Sequence, residues 1–121
     1  DLETGDFSSL PADFDVVLTE WSGLADIPLR PFDLVINATT AARAGGGVPG
    51  VSPAVIGPGT TCYDLSYGGG ETPFTHWALQ QGCARAFTGW GMLVEQAADT
   101  FELWHGRRPD TQQALQVVLA R

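Results

Sequence analysis

The stretch TTCYDLSYGGGETPFTHWALQQGCARAFTGWGMLVEQAADTFELWH, residues 60–105, decides the fold. It opens on Thr60-Thr-Cys-Tyr-Asp-Leu65, where β-branched and aromatic residues cluster behind the turn signal Pro58-Gly59, and this predicts a strand. A helix follows. Thr72 can cap its free N–H groups, Pro73 fits the first helical position, and Gly82 stands where a left-handed residue closes a helix. Phe74, Trp77 and Ala78 form its expected buried stripe. Ala84-Arg-Ala-Phe87 then predicts a short strand through its aromatic residue. Over residues 89–105, Trp90, Val94, Ala97, Phe101 and Trp104 recur at alternating four- and three-residue steps, with Glu95, Asp99 and Glu102 opposite. That spacing predicts a long amphipathic helix. Strand, helix, strand, helix in this order is the pattern of a parallel α/β sheet with right-handed crossovers.

Working outward, Asp33-Leu-Val-Ile-Asn37 behind Pro31 predicts another strand, apolar enough for a sheet covered on both faces. Phe14-Asp-Val-Val-Leu18 predicts a further one. Residues 38–53 are rich in Ala, Gly and Pro and read as a loop, followed by a short helical turn at 53–56. Downstream, Asp110 and Gln113 suit a capping box ahead of a last helix carrying Leu115, Val118 and Leu119. Residues 1–12 are polar and read as loop.

With 121 residues, 44% hydrophobic and 17% charged, the chain has the size and composition of one globular domain. No apolar run approaches the ~20 residues a membrane-spanning helix needs, so no membrane partner is expected and the protein reads as cytoplasmic. The formal net charge of −8 leaves no basic patch to neutralise phosphates, which argues against nucleic acid. Cys62 and Cys83 have no C-x-x-C spacing and read as two buried thiols; His76 and His105 are isolated, so no metal site is expected. All six basic residues are Arg. Chemistry that requires a lysine is closed to these residues alone. The first residue is Asp1, from which the chain is expected to be processed or a piece of something longer.

Ligands of open parallel sheets bind beyond the carboxyl ends of the strands, so a site is expected just after Asn37, Leu65 and Phe87. Ala38-Thr39-Thr40, Ser66-Tyr67 and Thr88-Gly89 offer hydroxyls, small side chains and approachable backbone there, suited to a flat cofactor or a polyhydroxylated substrate. Each is also ordinary loop composition. Gln96 lies one helical turn beyond Met92, between the apolar stripe and the acidic face, and its amide can serve a substrate hydroxyl or carboxylate or simply be hydrated. The Tyr67 phenol has the same two readings: a donor to a ligand, or a packed ring with a hydrated hydroxyl. The triple glycines 45–47 and 68–70 lack the G-x-G-x-x-G spacing between strand and helix and read as flexible loops.

Asp33-Leu-Val-Ile-Asn-Ala-Thr39, Tyr63-Asp-Leu-Ser-Tyr67, Thr72-Pro-Phe74, Gly89-Trp-Gly-Met-Leu-Val-Glu-Gln-Ala-Ala98 and Phe101-Glu-Leu-Trp-His-Gly106, in this order and spacing, closely resemble the C-terminal part of shikimate dehydrogenase. The resemblance runs over about residues 32–110 and extends to the quinate/shikimate relatives. It implies an α/β fold, the second half of a Rossmann-like NADP-binding domain: a partial parallel sheet with flanking helices. It implies an oxidoreductase of aromatic amino acid biosynthesis that reduces 3-dehydroshikimate to shikimate with NADPH. By resemblance, Tyr67 and Gln96 touch shikimate, and Ala38, Thr39 and Thr40 line the adenosine side of NADP. Gly89, Met92 and Leu93 flank the nicotinamide, and Leu65 stands where many members have methionine.

The resemblance also implies that the glycine-rich diphosphate loop, the Asn-Arg-Thr segment and the catalytic Lys-Asp pair lie upstream, so the 121 residues alone are expected to be inactive. A non-catalytic shikimate- or nucleotide-binding module and an NAD-dependent quinate relative are the competing expectations. With the first two strands of the order 3-2-1-4-5-6 absent, Leu34–Ile36 becomes an apolar edge. That edge is expected either to receive residues 14–18 or to pair in a homodimer.

Overall fold

A computed structural model describes residues 30–40, 47, 48 and 50–120. In chain order they form β1 (Leu34–Asn37), a 3₁₀ turn (Pro53–Val55), β2 (Thr61–Asp64), α1 (Pro73–Gln80), β3 (Arg85–Phe87), α2 (Trp90–His105) and α3 (Thr111–Leu119). The strands pair in parallel in the order β1-β2-β3, with Leu34 beside Thr61 and Thr61 beside Arg85. The expected α/β parallel sheet with flanking helices is therefore present. Residues 14–18, the 1–12 loop and most of the first triple glycine lie outside the described residues.

Strand alternation sorts the side chains into two faces. Val35, Cys62 and Ala86 share one face and pack with Val55, Ile56, Phe74 and Ala78 from the 3₁₀ turn and α1. Leu34, Ile36, Tyr63 and Phe87 alternate onto the other, where Leu34 and Ile36, on the outer strand of the sheet among the described residues, are about half exposed, at 54% and 55%.

The α1 signals act as their chemistry requires. The Thr72 hydroxyl accepts from the Thr75 N–H at 3.2 Å and the Thr75 hydroxyl accepts from the Thr72 N–H at 2.9 Å, closing a reciprocal cap. Gly82 follows the helix at φ +87°, where a side chain would be strained. Thr75 joins Phe74 and Ala78 in the buried set, whereas Trp77 is half-buried against the core. Its capping hydroxyl draws Thr75 inside.

The apolar stripe of α2 differs from the periodicity. Val94 and Ala98 are buried, but Ala97 is exposed and Trp104 is 74% exposed. Periodicity identifies residues that share a face, not what covers them, and among the described elements α2 packs mainly with the short α3. The acidic face finds a partner that spacing did not reveal. Glu95, Asp99 and Glu102 converge on Arg108, with Glu95 Oε2 2.6 Å from Nη2 and Glu102 Oε2 3.1 Å from Nη1. Gly106 at φ +68° turns the chain back, and the Asp110 carboxylate caps α3 by accepting from the Gln113 N–H at 3.0 Å.

Hydrogen bonding from Thr111 first, and from Arg108 second, holds the Glu95 carboxyl below its ordinary value of 4.5. Because the value is depressed in the folded state, this tie contributes above pH 4.5 and is lost as pH falls through the lower folded value. Amide exchange in α3 is expected to accelerate over that window, and Arg108→Ala is expected to flatten the pH dependence. Identical acid profiles for α3 in the two proteins would contradict this role.

Both cysteines are free and buried. Burial, with Cys83 as its neighbour, pushes the Cys62 thiol up to about 12, so it is held as an unreactive thiol. His76 is less isolated than its sequence position suggests, with Nδ1 3.1 Å from Glu71 and Nε2 3.0 Å from Gln80. Among the described residues no helix is long and apolar enough to cross a membrane.

Candidate functional site at the carboxyl ends of the strands

β1 and β2 both end in a polar residue that is buried. Asp64, with no exposed surface, accepts from the Asn37 amide at 3.1 Å, the Ser66 N–H at 3.0 Å and the Thr72 hydroxyl at 2.6 Å. Asn37 in turn accepts at Oδ1 from the Thr39 N–H at 3.1 Å and the Thr39 hydroxyl at 2.8 Å. One carboxyl group therefore ties together the segments after β1 and β2 and the start of α1. From the sequence, Asn37 reads as a strand end, Asp64 as a residue within the strand that closes at Leu65, and Thr72 as a cap only. The signal in the sequence is a polar side chain directly after Leu-Val-Ile in one segment and after Cys-Tyr in the other.

The start of α2 is set by an equally local arrangement. Gly89 precedes it with no side chain to cap the helix. The N–H of Met92, free of any partner within the helix, instead donates to the Tyr63 hydroxyl at 3.0 Å, so a tyrosine on β2 caps α2 through a residue 29 positions later. Gly89 itself donates to the Ser66 carbonyl at 2.9 Å. A Cβ on Gly89 would fall 2.8 Å from the Leu65 carbonyl carbon and nearer still to its oxygen. Tyr63→Phe is expected to cost about 1 kcal/mol, since it removes one cap hydrogen bond from a half-buried helix start. Urea denaturation reads this directly, and an unchanged midpoint would show that water replaces the hydroxyl without cost.

Gly89, Met92, Leu93 and Gln96 are spaced so that one face of α2 carries all four. Gly89 is buried, Met92 and Leu93 are half-buried, and Gln96 is exposed. Leu65, half-buried, supplies the backbone on which this face begins. Ala38, Thr39 and Thr40 follow β1 on the same edge of the sheet, Ala38 and Thr40 exposed and Thr39 held by Asn37.

Tyr67 packs its ring on Trp90 with centroids 4.9 Å apart. Trp90 also lines a groove of about 990 Å³ with Gly68, Gly70, Leu79, Phe87 and Thr88. Gln96 instead lines a shallower hollow of about 330 Å³ with Leu93, Ala97, Thr100, Phe101 and Trp104. Trp90 and Gln96 thus line different hollows. The reason is rotational: six residues separate Trp90 from Gln96, which puts them on different sides of the helix.

The model of the shikimate 5′-dehydrogenase C-terminal domain family matches residues 89–119. The shikimate dehydrogenase (NADP(+)) of Dechloromonas aromatica is 51% identical over 92 residues, 76% of this chain and 33% of the relative. In sequence and in fold, this chain matches the C-terminal part of shikimate dehydrogenases. The crystal structure of shikimate dehydrogenase 1 from Peptoclostridium difficile is 28% identical, with a TM-score of 0.62 over 86% of this chain and 38% of that one. A ligand-free 5-ketofructose reductase of a Gluconobacter strain is 29% identical, with a TM-score of 0.56 over 71% of this chain and 32% of that one. The chain spans about a third of the length of the curated shikimate dehydrogenases it matches. The family match falls on α2 and α3, so it includes Gly89, Met92, Leu93 and Gln96.

Proposed function

We propose that these residues form the C-terminal part of an NADP-dependent shikimate dehydrogenase, which reduces 3-dehydroshikimate to shikimate, and that alone they are inactive. The observation that carries this reading is the face of α2 that starts at Gly89. There the buried glycine lets the helix begin against the Leu65 backbone, and Met92, Leu93 and Gln96 continue along one side. Half-buried Leu65, Met92 and Leu93 suit the flat, weakly polar nicotinamide. When bound, NADPH supplies the hydride.

This chain's residues bind and orient. Leu65, Met92 and Leu93 hold the nicotinamide ring and exclude water beside it, and Ala38, Thr39 and Thr40 line the adenosine side. Tyr67 and Gln96 serve the substrate hydroxyls. The 42% exposed Tyr67 makes a ring contact with Trp90, and among the described residues its hydroxyl has no hydrogen-bond partner, which suits it to a ligand. Nothing here offers the lysine that the family resemblance implies for proton transfer, because all six basic residues are Arg. Proton transfer therefore falls to the remaining two thirds of a complete enzyme. The acidic, lysine-free surface also suits a small-molecule substrate better than a nucleic acid.

The experiment is a spectrophotometric assay of this chain with shikimate and NADP, beside a complete enzyme that contains the sequence. The expected result is no NADPH formation above blank from the 121 residues and turnover from the complete enzyme. Turnover by the short chain would overturn the inactivity. A complete enzyme that works on quinate with NAD, or on 5-ketofructose, in preference to shikimate would replace the substrate assignment. Shikimate binding by the isolated residues without turnover would favour a separate binding module.

A further inference from the structure

We propose that Trp90 is a positioning residue for the substrate site, holding the Tyr67 phenol in place, and this rests on the reading that Tyr67 contacts the substrate. Tyr67 is held by the backbone on one side only, through Ser66, whose N–H donates to Asp64 and whose carbonyl accepts from Gly89. Gly68, Gly69 and Gly70 follow it without side chains, all exposed, with Gly70 at φ +124°. A run of three glycines has more accessible backbone states than any other tripeptide, so a side chain anchored only through it would sample many positions.

Trp90 makes two contacts that remove this freedom. Its ring lies against the Tyr67 ring at 4.9 Å between centroids with 45° between planes, a tilted aromatic pair. Its indole N–H donates to the Gly68 carbonyl at 3.0 Å. One side chain therefore grips both the phenol ring and the backbone immediately after it. Trp90 is rigidly placed in its turn, because it is the first residue of α2 and that helix start is held by Gly89 on Ser66 and by Met92 on Tyr63. Tyr67 keeps its hydroxyl out of these contacts. The arrangement aims the hydroxyl while leaving it open, which a site for a hydroxylated ligand requires. Pre-ordering a phenol in this way lowers the entropy lost on binding, so its effect belongs on substrate affinity rather than on the cofactor.

The test is steady-state kinetics of the complete enzyme that contains this sequence, comparing Trp90→Ala, Trp90→Phe and Tyr67→Phe. Trp90→Ala is expected to raise the KM for shikimate about tenfold, through loss of the ring pair and the Gly68 hydrogen bond, and to leave the KM for NADP unchanged. Trp90→Phe keeps a ring and is expected to return the KM to within about threefold of the parent. If Trp90→Ala does not fold, Trp90→Leu replaces it with the same expectation, since it keeps apolar volume without a ring or a donor. A raised KM for shikimate in Tyr67→Phe with an unchanged one in the Trp90 variants would overturn the positioning role and leave the Tyr67 reading standing. An unchanged KM in Tyr67→Phe would overturn that reading and this inference with it. Equal rises for shikimate and NADP in Trp90→Ala would assign Trp90 to the general placement of α2 and overturn the inference.

Discussion

Asp64→Ala is expected to destabilise the described fold by roughly 3 kcal/mol or more, a large part of the stability of an ordinary domain. The side chain has no exposed surface and accepts three hydrogen bonds, from the Asn37 amide, the Ser66 N–H and the Thr72 hydroxyl. Removing it deprives three donors of their acceptor, two of them on the buried residues Asn37 and Thr72. It also separates three segments at once, the ends of β1 and β2 and the cap of α1. Asp64→Asn is expected to be milder, because it retains one acceptor oxygen and the Thr72 hydroxyl can turn to accept from the new amide. Urea denaturation of the parent and both variants is the measurement. A midpoint for Asp64→Ala within error of the parent would show that the network is not the junction described here.

Gly89→Ala carries the second large effect, and Gly91→Ala is its control. Gly89 has φ −70° and ψ 5°, which any residue adopts, so backbone freedom is not the reason for a glycine there. Space is the reason. A methyl group would fall 2.8 Å from the Leu65 carbonyl carbon and 3.3 Å from the Asp64 carbonyl oxygen, both of them backbone atoms that cannot move alone. The expected cost is about 2–3 kcal/mol, with displacement of the first turn of α2 and of Trp90, Met92 and Leu93 with it. At Gly91 the same methyl would meet only the Tyr63 hydroxyl, at 3.5 Å, an ordinary contact. Gly91→Ala is therefore expected to be neutral or to stabilise by up to about 1 kcal/mol through helix propensity. Thermal melts of the two variants separate the cases, and equal destabilisation would mean that helix-start crowding, not the Leu65 contact, sets the requirement.

Much of the fold was legible because its determinants are local. The cap at Thr72, Pro73 at the first helical position and Gly82 after the helix each act within a few residues, and they fall where the spacing put them. The three described strands likewise appear within a residue of the apolar runs at 33–37, 60–65 and 84–87. The face of α2 bearing Gly89, Met92, Leu93 and Gln96 follows from helical geometry once the helix is known.

Interactions across the chain were not legible. Tyr63 reads as a strand aromatic, and its role as the cap of α2 depends on β2 ending beneath a helix that begins 26 residues after it. Arg108 is one of two adjacent arginines with no partner marked by its spacing, yet the turn at Gly106 carries it back onto three carboxylates. Trp104 reads as the end of a buried stripe and is exposed, because α3 covers only part of α2.

By itself, the sequence determined the α/β order of elements, their boundaries, and which residues share a strand or helix face, since backbone periodicity and capping chemistry are local properties. Only the tertiary structure decided that Asn37, Asp64 and Thr72 form one buried junction, that Gly89 touches the Leu65 backbone, and that Trp90 grips Tyr67. Those contacts join residues brought together by parallel pairing and helix crossover, and sequence spacing carries no record of the distances that result.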